Sequence, residues 1–166
     1  MSSPFQTKPQ LLRSIRLWLF LFIVGLILSG LTAFPLEHET RWLTLFLSSH
    51  PILPDSIIRW VTKVHDALED TGKRYPFLAY GTDWLAFAHL VLAIVFIGPW
   101  RDPIRNKWVF QFGVIACASV IPLALIAGPI RGIPCPWRLI DCSFGVFGAI
   151  PLLICLQKIR LIENLE

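Results

Sequence analysis

The chain has 166 residues, of which 55% are hydrophobic and only 16% charged, with a net charge of +4 and a mean hydropathy of +0.63. These values exclude an ordinary soluble domain and place the chain among membrane proteins. Cations flanking membrane spans account for the charge, so no nucleic-acid partner is expected.

Residues 1–14 show no apolar period at their start and are expected to be mobile. The uncharged run 17–36 predicts a first span over 15–36. Lys8, Arg13 and Arg16 precede it and Gly30 and Ala33 lie near its end, which is the outline of a secretory signal. Its apolar stretch exceeds the ~7–15 residues of a signal core, so it reads as a retained anchor. Gly25 and Ser29 form a small-xxx-small pattern that predicts close helix approach; Gly145 and Ala149 repeat it near the other end of the chain.

Segment 37–79 is too rich in order to be a plain connection. Trp42, Leu43, Leu45, Phe46 and Leu47 predict one short interfacial helix. After Pro51 and Pro54, the residues Ile57, Ile58, Val61, Val64 and Leu68 oppose Arg59, Lys63, Asp66, Glu69 and Asp70, predicting a second amphipathic helix that stops at Gly72. The pair is expected to cap the outer mouth of a bundle or to lie flat on lipid.

Further spans are predicted over 80–99, 108–129 and 137–157, with kinks at Pro122 and Pro151. Tyr75, Tyr80 and Trp84 mark one interface, and Trp100 and Trp108 the other. The fold class is therefore all-α and polytopic, with four transmembrane helices and two amphipathic helices in the first extracytoplasmic loop. Arg101, Arg105 and Lys107 crowd the connection between the second and third spans, whereas the cations of 37–79 are diluted by acids. That bias places both termini in the cytoplasm and the chain in the plasma (inner) membrane.

Cys117 and Cys155 read as apolar packing residues. Cys135 and Cys142 lie almost two turns apart, roughly 10 Å of helical rise, too far for a disulfide. His38, His50, His65 and His89 make no paired box for a metal. There is no CxxC, no GxSxG elbow and no phosphate-binding Gly-Lys loop, and no cofactor is expected.

Charges that intrude on the spans are the functional signal. The uncharged runs 84–100 and 142–157 both fall short of the ~20 residues needed to cross a bilayer core, so Asp83, Arg138 and Asp141 are drawn to membrane depth, with His89 further along the second span. Ionisable groups there are functional candidates by default. Arg131, held in the proline-rich stretch from Gly128 to Pro136, falls at the same level. Asp83, His89 and Asp141 are candidate catalytic residues, and Arg131 and Arg138 candidate ligand-binding residues for an anionic lipid or amphiphile. His89 lies about 240° around the helix from Asp83, so the two form no same-face dyad.

The residues leave open whether such a pocket binds or also acts on its ligand. A rival is a structural or assembly subunit that docks a membrane-protein partner or a second copy. In that reading Arg138 ties to Asp141 and Asp83 sits at the positive end of its helix dipole. An ion or proton pathway is least supported, because Asn106, Gln111, Ser119 and Ser143 make a sparse route and no inverted repeat is evident.

Asp83 to His89 at the start of one span, then Arg131, then Arg138-Leu139-Ile140-Asp141 followed by Gly145 and Gly148, resembles the small four-helix VanZ-like membrane proteins over about residues 79–149. The resemblance implies a cell-envelope role linked to glycopeptide tolerance.

Overall fold

In a computed structural model, residues 7–49 and 53–165 are described; His50 and Pro51 lie outside them. Four segments are long and apolar enough to cross a membrane: Lys8–Ala33, Pro76–Arg101, Lys107–Ile130 and Cys135–Glu163. All regular structure among the described residues is helical.

Helix α1 (Lys8–Ala33) begins well before the expected start at 15. Gln10 Oε1 accepts the Thr7 N–H at 3.0 Å, one arm of a capping box, and Leu11 and Ile15 are buried. Segment 8–14 is thus helical and packs Leu11 into the bundle. Helix α2 (Leu36–Ser49) follows Pro35, and α3 (Asp55–Arg74) follows Pro54.

Gly72 does not end α3, contrary to the pattern's prediction. It lies inside the helix, where a Cβ would come within 3.0 Å of Glu37 Oε2 of α2. The neighbour is the tip of an exposed, flexible side chain, so the contact does not itself require a glycine.

A 3-10 turn at Pro76–Ala79 leads into α4 (Tyr80–Val95), which breaks at Phe96 before the short α5 (Ile97–Arg101). Helices α6 (Lys107–Ile130) and α7 (Cys135–Glu163) run through Pro122 and Pro151. Helix α6 also includes Pro129, so the connection to α7 shrinks to Arg131–Pro134, with Gly132 at φ 70° making the turn.

The long helices pack in the spatial order α4, α1, α7, α6, and the two outer ones scarcely touch. The start of α1, the end of α7 and the α5 turn lie at one end of this bundle, the terminal end. Leu11, Ile15, Phe96, Phe110, Leu152 and Ile159 form a dense core there. Between apolar helices in lipid, such contact works through van der Waals packing rather than a hydrophobic force. Lys107 Nζ to Glu163 Oε2 at 2.6 Å joins α6 to α7, and Asn106 Nδ2 donates to the Gly98 and Asp102 carbonyls.

The opposite end carries the hairpin of α2 and α3. Leu47, Ile57 and Val61 are buried between these helices, with Ile58 and Trp137 packed against them. Trp137, in the first turns of α7, is the apolar anchor that joins the hairpin to the bundle. On the outer side of α3, Glu69 pairs with Lys73 at 2.6 Å and Asp70 with Arg74 at 2.9 Å, which is ordinary i,i+4 helix support.

Candidate functional site

Because α4 and α6 stand apart, a cleft of about 670 Å³ opens between them, with α1 and α7 as its floor. Its walls are apolar, including Leu26, Leu92, Phe112, Val120 and Phe147. Toward the terminal end the rings of Phe22 and Phe96 meet edge to face at 4.8 Å on its wall, and Trp18 lines it beyond them.

Gly25 leaves space on the α1 wall. Nothing lies within 4 Å of where a Cβ on Gly25 would stand. Gly25 therefore borders the cleft instead of admitting a neighbouring helix, as the Gly25/Ser29 pattern predicts. The close approach of α1 to α4 occurs at Gly30, where a Cβ would come within 2.9 Å of the Ala86 carbonyl oxygen. Gly145 behaves as its pattern predicts: its bare backbone lies against the Cys117 carbonyl of α6.

The furthest lining residues toward the hairpin end are Ser29, His89, Val120 and Phe144, one from each long helix. The imidazole and hydroxyl thus sit at the cleft's hairpin-side mouth. His89 Nδ1 lies 2.8 Å from the Leu85 carbonyl oxygen. A carbonyl oxygen only accepts, so Nδ1 carries the hydrogen, and Nε2 has no hydrogen-bond partner among the described residues.

Of the five charged or titratable candidates, His89 alone lines the cleft. Asp83, Arg131, Arg138 and Asp141 lie beyond it, toward the hairpin. Arg138 is six residues from Phe144 on α7, roughly 9 Å of helical rise. Its stem crosses Gly128 of α6, and its Nε is buried without a hydrogen-bond partner. Arg131 is exposed at the C-cap of α6, and Asp83 sits half-buried in the first turn of α4.

Among the described residues no ion pair joins Arg138 to Asp141, and none involves Asp83 or Arg131. Among the described residues these charges do not neutralise one another. Comparison with known proteins found no matching family model, no matching curated protein and no matching solved structure. Geometry therefore carries the functional argument.

The cleft was not legible from the charges. Ser29 and Gly25 signal it in the sequence, but only as small residues, and the same spacing serves helix packing. All four cysteines are free, and Cys117 lies on the cleft wall. No group of metal-ligating side chains gathers among the described residues.

Proposed function

We propose that the chain is a multi-pass protein of the plasma (inner) membrane that binds an anionic amphiphile. The ligand's hydrocarbon tail occupies the cleft between α4 and α6, and its head group lies toward Arg131 and Arg138. The observation that carries this reading is the cleft itself. Its volume falls within the ~300–1,000 Å³ typical of ligand pockets, and its wall is apolar except at the mouth.

Charge complementarity supports the head-group position. Arg138 and Arg131 spend no side-chain hydrogen bond or ion pair on the protein among the described residues. Arginines with free bonding capacity near a membrane interface suit phosphate or carboxylate oxygens. The rival rim lock needs Arg138 bonded to Asp141, and that pair is not formed. The cell-envelope setting is in keeping with the VanZ-like resemblance of residues 79–149. Binding is assigned here and no reaction, since Asp83, His89 and Asp141 are not joined by any hydrogen bond.

Native mass spectrometry of the purified chain tests the reading. Co-purified anionic lipid is expected, and it is expected to fall when Arg131 and Arg138 are both changed to Gln while helicity is kept. A folded protein that emerges lipid-free and takes up no anionic amphiphile overturns it.

A further inference from the structure

Resting on that reading, we infer that the ligand carries a hydroxyl at its head–tail junction and donates it to His89 Nε2. A tail inside the cleft and a head at the arginines put the junction at the mouth, where His89 and Ser29 are the lining residues with polar side chains. The Leu85 carbonyl, 2.8 Å from Nδ1, fixes the imidazole so that its neutral ring presents Nε2 as an acceptor. An acceptor of this kind is matched by an O–H and repels the carbonyl oxygen of an ester.

The base of the side chain sits beside α1, where Gly30 leaves room for it: an added Cβ there would approach His89 Cβ to 3.2 Å. The Ser29 hydroxyl, one residue before, adds a group able to donate or accept beside it. Together they favour a junction with one free hydroxyl, as in a monoacylated glycerol phosphate, over a fully esterified one.

Lysophosphatidic acid and its deoxy analogue, which differ only in the free glycerol hydroxyl, are suitable probes. Their binding to the full chain in nanodiscs is compared by native mass spectrometry. A preference for the hydroxylated probe of about threefold to tenfold is expected, the range of one net hydrogen bond. His89→Phe is expected to erase the preference while retaining the deoxy probe.

Equal binding of both probes by the unaltered protein overturns the hydroxyl inference and leaves the amphiphile reading intact. Binding of neither overturns both. Should His89→Phe not fold, the comparison on the unaltered chain still decides.

Discussion

The aliphatic stem of Arg138 lies across the bare backbone of Gly128: a Cβ there would stand 2.8 Å from Arg138 Cγ and closer still to Cδ. The contact ties the last turn of α6 to the first turn of α7 and positions a guanidinium that has no partner among the described residues. Gly128→Ala is expected to cost about 1–3 kcal/mol by overpacking, read as a lowered midpoint of thermal unfolding in detergent. It is also expected to reduce retained anionic lipid more than an equally destabilising change remote from the arginines. Unchanged lipid retention would separate Arg138 from the head-group site.

Gly30 and Gly25 provide an internal contrast on one helix. Gly30→Ala drives a methyl into the Ala86 carbonyl and the side chains of His89 and Leu90, and a cost of about 1–3 kcal/mol is expected. Gly25→Ala meets open space and is expected to be neutral or to stabilise by up to about 1 kcal/mol through helix propensity. Thermal unfolding of the two variants in the same detergent checks this order.

That contrast also locates the limit of sequence reading. The four long apolar helices were legible because runs such as 108–130 are long and apolar enough to cross a membrane, and the amphipathic period of 57–68 places a helix wherever it falls. Facing was not legible. Gly25/Ser29 and Gly145/Ala149 have identical spacing, yet Gly145 admits a helix and Gly25 borders a cleft, a difference set by which neighbour each helix meets. The charged residues were legible as interruptions of apolar runs. Their lack of pairing was not, because Arg138 and Asp141 share a helix face by spacing while Arg138 turns toward Gly128 instead.

Trp137 is the apolar link between the α2–α3 hairpin and the bundle. Trp137→Ala removes a large side chain from a cluster whose other buried members are Leu47, Ile57 and Val61, at an expected cost of about 2–4 kcal/mol to hairpin docking. The long helices keep their own core at the terminal end. Limited proteolysis is therefore expected to cut faster within 53–74 while the fragments that hold the long apolar helices stay intact. Simultaneous loss of the whole bundle would mean that the hairpin and the spans form one cooperative unit.

On the exposed face of α3, the ammonium of Lys73 bonded to Glu69 holds the Glu69 carboxyl below its ordinary range. A depressed carboxylate stabilises the fold above the unfolded pKa, about 4.5, and the contribution is lost as pH falls through the lower folded value. Lys73→Ala is expected to return Glu69 toward 4.5, measured by NMR titration of its side chain. Both groups are solvent-exposed, so the effect on overall stability is expected to be small and to fade with salt.

Cys135 opens α7 at the hairpin end and is exposed, whereas Cys155 is buried near the terminal end and Cys117 and Cys142 are half-buried. The orientation expected from the cation bias, with both termini in the cytoplasm, turns Cys135 outward, and a membrane-impermeant maleimide is then expected to label it in intact cells. A Cys135→Ser chain is expected to lose that labelling. The dense cations of 101–107 support this orientation through the positive-inside bias. Labelling of Cys135 only after permeabilisation would invert the topology and turn Arg131, Arg138 and the mouth of the cleft toward the cytoplasm. The amphiphile would then be drawn from the inner leaflet, where anionic head groups are abundant.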